Sequence, residues 1–195
     1  MSDKPALNDD YWSQRYLTEQ TGWDIGYIST PIKEYVDQLE NKNISILIPG
    51  CGNAYEAHYL WNQGFQNITL IDISSVLVER LQKEVTSTSI QVLHGDFFDH
   101  RGQYDLLLEQ TLFCAIAPGM REKYIAQAAS LLKPGGKLVG VLFNCHFDGG
   151  PPFGGTIEEY RPMFSRHFNM LKMEPCYNSI EARSNREAFI ICTPL

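Results

Sequence analysis

A chain of 195 residues, 44% hydrophobic and 20% charged, has the size and balance of one globular domain that can bury a core. Its formal charge of −7 excludes a broad basic surface, so nucleic acid is not an expected partner. No apolar run approaches the roughly 18 residues of a membrane span, and Met1 to Asp10 lacks the apolar stretch of a secretion signal, so no membrane partner is expected.

In chain order, Tyr11 to Tyr16 places Trp12 and Tyr16 on one helical face. Thr30-Pro31 opens a second helix, followed by Ile32, Tyr35, Val36 and Leu39 at helical spacing. Ser45 to Pro49 reads as the first strand. The helix after it has Asn53 and Glu56 as a capping pair and Gly64 as its stop. Ile68 to Ile73, Ile90 to Leu93 and Tyr104 to Leu108 are the next strands, with Leu77, Leu81 and Val85 marking a helix between the first two of them. Met120 to Lys133 is a helix, and Pro134-Gly135-Gly136 turns the chain into a fifth strand, Lys137 to Phe143. After a Gly- and Pro-rich loop, Thr156 and Glu159 form a capping box, while Pro162 should kink or split the helix they begin. Met170 to Tyr177 and Ala188 to Thr193 close the chain as strands, with Pro175 placing the first at an edge or on a bulge. The alternation predicts an α/β fold, a mostly parallel sheet with an antiparallel C-terminal hairpin, in one domain of residues 1–195.

The first strand, its turn and the second strand carry the sharpest chemistry. Gly50-Cys51-Gly52 lets the backbone approach a ligand, and Asp72, twenty-two residues after Gly50, ends the second strand where an acid can accept from both hydroxyls of a ribose. A dinucleotide fingerprint wants a third glycine where Tyr55 stands, and no Gly-Lys-Ser/Thr follows to make a P-loop. A nucleoside without a diphosphate fits better, and S-adenosylmethionine is the common one. Its carboxylate can sit at the helix N-terminus. Asp72 could otherwise be a solvated cap of the next helix.

Asp96-Phe97 follows the third strand on the same rim, suited to the amine and plane of an adenine or, alternatively, to a loop acid beside a core ring. Glu109 follows the fourth strand, either to bind the donor's ammonium or to cap the next segment. The Asn/Asp-Pro-Pro-aromatic pattern common in amino-group and base methyltransferases is missing there. Trp12, Tyr16 and Trp23 are either core rings or a cover whose π faces attract a sulfonium.

Cysteines 51, 114, 145, 176 and 192 are scattered, with no C-x-x-C pair and no zinc-ligand spacing. A reducing, cytoplasmic compartment without a metal site is expected. Cys51 is read as a small residue in a tight turn rather than a thiolate, because no base partners it. None of the five histidines sits beside a Ser or Cys in a recognisable elbow sequence, which leaves hydrolysis unsupported.

Trp12-x-x-x-Tyr16, Gly22-Trp23-Asp24, Leu47-Ile48-Pro49-Gly50-Cys51-Gly52, Asp72-Ile73-Ser74, Phe113-Cys114-Ala115-Ile116, Leu132-Lys133-Pro134-Gly135-Gly136 and Gly149-Gly150-Pro151-Pro152-Phe153 occur in this order. Together they resemble the thiopurine S-methyltransferase superfamily, in particular the branch of plant thiol, halide and thiocyanate methyltransferases. The resemblance implies a Rossmann-like class I methyltransferase fold using S-adenosylmethionine, with residues 1–42 as an N-terminal helical lid. It implies donor contacts from Trp12, Tyr16, Trp23, Gly50, Gly52, Asp72, Asp96, Phe97 and Gln110. Tyr16 stands where relatives often have Trp, and Gln110 and Phe153 stand where they carry Tyr, the last two near the acceptor's expected position.

The expected function is methyl transfer to a small soft nucleophile: a thiol, thiopurine, halide or thiocyanate-like acceptor. Such an acceptor needs little base help, so no catalytic residue is named, and a monomer is expected. A nucleoside-binding module without turnover, or an O- or N-methyltransferase on the same scaffold, are the alternatives.

Overall fold

A computed structural model describes residues 6–86 and 88–195. Seven strands form one sheet: β1 (Ile46–Pro49), β2 (Ile68–Asp72), β3 (Gln91–His94), β4 (Tyr104–Gln110), β5 (Leu132–Phe143), β6 (Phe168–Pro175) and β7 (Glu187–Pro194), in the order β3-β2-β1-β4-β5-β7-β6. The first five run parallel, and β7 lies antiparallel between β5 and β6. The mostly parallel sheet and its antiparallel hairpin are as the sequence predicts. β6 is the edge strand and carries a bulge at Met170/Lys172, so both readings of Pro175 hold.

Burial explains the strand composition. β1 and β2 are buried along their whole length, so they read as continuous apolar runs rather than alternating ones. Within β1 the faces still alternate: Ile46 and Ile48 pack with Ile32, Leu60 and Leu81 on one side, while Leu47 packs with Tyr124, Ile125 and Phe164 on the other. Helices α2 (Thr30–Asp37), α3 (Tyr55–Asn62) and α4 (Ser75–Glu84) supply the first layer. Helices α6 (Arg121–Ser130) and α7 (Ile157–Phe164) supply the second. Between them in sequence lies α5 (Leu112–Ala115), a single turn after β4. Helix α1 (Asp9–Leu17) docks on the start of α4, where Asp9 Oδ1 accepts from the Ser75 N–H at 2.8 Å and the Ser13 and Ser74 hydroxyls bond at 2.9 Å.

Three local expectations are corrected. Asn53 does not cap α3: the N-cap is Ala54 in the left-handed region (φ +58), and the Asn53 amide instead bonds Asp24 and Arg80. Pro162 does not split α7. The helix is secured at its start by the Thr156–Glu159 capping box and ends two residues after the proline, so the ring removes only one internal bond. Strand pairing also begins earlier than the glycine turn suggests, at Leu132, with the register shifting before it resumes at Lys137. Among the described residues no helix is long and apolar enough to cross a membrane, and no cluster of His, Cys, Asp or Glu could hold a metal ion.

Candidate active site

Strand order reverses between β1 and β4, and open α/β sheets bind ligands in the crevice that such a reversal leaves at the carboxyl ends of the strands. A cleft of about 860 Å³ opens there. Its floor is the ends of β1 to β5, its roof the N-terminal segment from Leu7 to Tyr27, and its far wall the loops around Phe147 and Arg183.

Eight of the nine residues expected to contact the donor come together in this cleft: Trp12, Tyr16, Trp23, Gly50, Gly52, Asp72, Asp96 and Phe97. The turn is built as a close approach. Gly50 and Gly52 adopt φ +58 and +51, which side chains resist, and a Cβ on Gly50 would meet Leu112 Cβ at 3.0 Å. A Cβ on Gly52 would enter the gap beneath the Tyr16 hydroxyl, 3.7 Å away. Asp72 closes β2 with only 8% of its surface exposed. Its Oδ1 accepts the Ser74 N–H at 2.9 Å and Oδ2 faces the Gly52 N–H at 3.4 Å. A carboxylate has about four acceptor directions, so two remain for a ligand. Burial pushes its pKa up to about 6, opposed by the backbone N–H groups around it.

Asp96 takes the Phe98 N–H at 2.9 Å and starts the short turn Phe97–Asp99, with Phe97 buried against Tyr124. From the roof, Trp23 meets Trp12 edge to face at 5.5 Å and Tyr16 at 5.8 Å, so one ring cluster covers the glycine turn. Burial raises the Tyr16 hydroxyl far above its usual range, so it stays protonated. Cys51 is likewise raised well above its usual value by burial, which suits a small turn residue and not a thiolate.

Gln110 stands apart. It does not line the cleft; its Oε1 accepts from the buried Ser29 hydroxyl at 2.9 Å, and the residues facing inward are Thr111 and Leu112. Glu109, open between two roles in the sequence, is fully buried below the floor. It accepts the Phe113 N–H at 2.9 Å and the Tyr124 hydroxyl, so it caps α5 and reaches no ligand. Burial pushes its pKa up to about 7. Phe153 is also outside the cleft: its N–H donates to the Cys114 carbonyl at 2.7 Å, and its own carbonyl accepts from Arg121 at 2.9 Å, while Pro151 and Pro152 form the wall.

The far end holds residues that the sequence does not single out. Thr111, β-branched, sits at φ +82, an outlier of the kind found at functional sites. Phe143, Phe147, Arg183 and Arg186 complete the wall. The Arg183-x-x-Arg186 spacing is visible in the polar stretch before β7, but nothing in that stretch tells which surface it faces.

Comparison with known proteins gives this cleft a context. Residues 7–191 match the family described as Thiopurine S-methyltransferase (TPMT). A probable thiol methyltransferase 2 of Arabidopsis thaliana is 31% identical, covering 76% of this chain and 69% of its own length. Thiocyanate methyltransferase 1 of Brassica oleracea is 26% identical, over 93% and 84%. The crystal structure of 1,6-didemethyltoxoflavin-N1-methyltransferase from Burkholderia thailandensis, with S-adenosylhomocysteine bound, shares the fold at a TM-score of 0.71 and 15% identity, over 98% of this chain and 92% of its own. With the family match running through the N-terminal rings, the glycine turn, Asp72 and the far wall alike, the chain belongs to the thiopurine S-methyltransferase family.

Proposed function

We propose that this family member transfers the methyl group of S-adenosylmethionine to the sulfur of a small thiol. The observation that carries the reading is Asp72: a buried acid beside a side-chain-free turn, with two acceptor directions open toward a cleft roofed by aromatic rings. When bound, S-adenosylmethionine supplies a methyl group on a cationic sulfur, already activated for in-line displacement.

The chain's own residues then have three tasks. Asp72 and the Gly50–Gly52 turn hold the sugar, while Asp96 and Phe97 bound the base one strand further out. Trp12, Tyr16 and Trp23, within the roof from Leu7 to Tyr27, exclude water and offer π faces to the cation; the lid is shorter than the expected 1–42, since Ile32 and Val36 of α2 are core residues. Leu112, Cys114 and Ile116 leave an apolar space where the acceptor sulfur can align. Among the described residues no carboxylate or histidine lines that space, and a thiolate needs none as a base. The expected setting is the reducing cytoplasm, with the protein acting as a monomer.

Labelled S-adenosylmethionine offered with a panel of thiols, alcohols and amines tests the reading. Label should pass to sulfur in the parent protein and be lost with donor binding in Asp72→Ala. Transfer to oxygen or nitrogen alone, or binding without any transfer, would overturn it.

A further inference from the structure

We propose that Arg186 recognises a carboxylate on the methyl acceptor, so that the substrates are small mercapto-acids; this deepens the thiol reading and rests on it. The starting point is charge. The chain as a whole carries −7, yet among the described residues the far end of its cleft presents two cations and no acid. Arg183 stands over the Phe143 ring at 5.5 Å and Arg186 over the Phe147 ring at 5.0 Å. Asp148, Glu181 and Glu187 are neighbours in sequence, but none lines the cleft, and Glu187 is buried against Arg183 at 3.4 Å.

The two arginines differ in what they have left to give. Arg183 is committed: one end of its guanidinium faces Glu187 and the other donates to the Trp23 carbonyl at 2.7 Å, which ties the start of β7 to the roof. Arg186 has no side-chain hydrogen bond and no ion pair among the described residues. Its backbone is nonetheless fixed, the carbonyl accepting from Asn144 at 2.7 Å and the N–H donating to Arg183 at 3.0 Å. A pinned residue whose guanidinium lies on an aromatic face keeps its in-plane donors free, and that planar fork matches a carboxylate.

Position completes the argument. The reacting sulfur belongs over Leu112 and Cys114, at the end of β4, in line with a donor anchored on β2. Arg186 pairs with Asn144 at the start of β7, two strands along from β4 and about 10 Å away in the sheet direction, and its guanidinium lies over the Phe147 ring of the cleft wall. A short chain with sulfur at one end and a carboxylate at the other bridges what the arginine side chain leaves of that gap.

The test compares 3-mercaptopropionate with 3-mercapto-1-propanol, equal in length and different in charge, as acceptors with labelled S-adenosylmethionine. The parent protein should prefer the acid at least about tenfold in kcat/KM. Arg186→Gln should remove most of that preference through KM, and Arg186→Lys should restore part of it. S-adenosylhomocysteine affinity, measured by calorimetry, reports whether each variant is folded. Equal kcat/KM for the two thiols, or a preference that Arg186→Gln leaves intact, overturns the role of Arg186 and leaves thiol methylation standing. No methyl transfer to any thiol overturns both.

Discussion

The two ends of the cleft are built on opposite principles. The donor end is strand and tight turn: Gly50, Gly52 and Asp72 are placed by sheet hydrogen bonds, down to the Gly50 N–H on the Ile71 carbonyl at 2.8 Å. The acceptor end is loop and side chain: Phe147, Pro151, Pro152, Arg183 and Arg186 come from two connections that meet only in three dimensions. The two buried acids sharpen the contrast. Asp72 and Glu109 both stand near the carboxyl end of a parallel strand, about 10 Å apart in the sheet direction. Asp72 keeps free acceptor capacity toward the cleft, whereas Glu109 spends its oxygens on Phe113 and Tyr124. Rigid backbone suits a donor that is always the same; exchangeable loops suit an acceptor that varies between relatives.

The largest effect should come from Asp72→Ala. Two hydrogen bonds to a charged acceptor, each about 1.5–3 kcal/mol, disappear, so S-adenosylhomocysteine affinity by calorimetry should fall at least about 100-fold. An unchanged Kd would break the comparison at its donor end.

Glu109 should speak through stability. Its folded pKa of about 7 lies above the ordinary glutamate value, so the folded state holds the proton more tightly than the unfolded chain. Stability should therefore fall as pH rises from about 4.5 to 7 and level off above, a change on the order of 3 kcal/mol. Denaturant melts of ligand-free Glu109→Gln should show a shallower slope than the parent across that window, with Asp72, also raised by burial, supplying part of what remains. A slope as steep as the parent's would remove Glu109 as a source.

Binding should follow the other acid. Asp72 accepts best when ionised and has a pKa of about 6, so S-adenosylhomocysteine affinity should drop about tenfold between pH 7.5 and pH 5. Asp72→Asn, without a titrating group, should bind weakly with no such trend. A parent protein whose affinity ignores pH would place the sugar elsewhere.

The smallest effect is expected at the roof. Trp12→Leu removes one π face, worth about 0.5–1 kcal/mol to a cation. S-adenosylmethionine should lose about threefold in affinity and the uncharged S-adenosylhomocysteine less. Equal losses for both ligands would reduce Trp12 to packing.

Legibility divides along the same line. The strands, the glycine turn and Asp72 can be read because their signals are local: a run of apolar residues, two glycines, an acid at a fixed distance. Gln110 shows where this ends. Its place at the end of β4 is visible in the chain, but a hydroxyl from Ser29, 81 residues away, decides where its side chain goes. Pro162 carries the same lesson in reverse: a local breaking rule yields to a helix anchored at its other end.

The sheet, the donor turn and the family are written in the chain itself, since hydrophobic period and backbone freedom are properties of neighbouring residues. Which acid faces the cleft, which caps a helix and which arginine remains free are settled only on folding. Those outcomes depend on partners that folding brings together, Asp72 with the Gly52 N–H twenty residues away, Glu109 with the Tyr124 hydroxyl fifteen away and Arg183 with the Trp23 carbonyl 160 away, and no short window of sequence fixes such a pair.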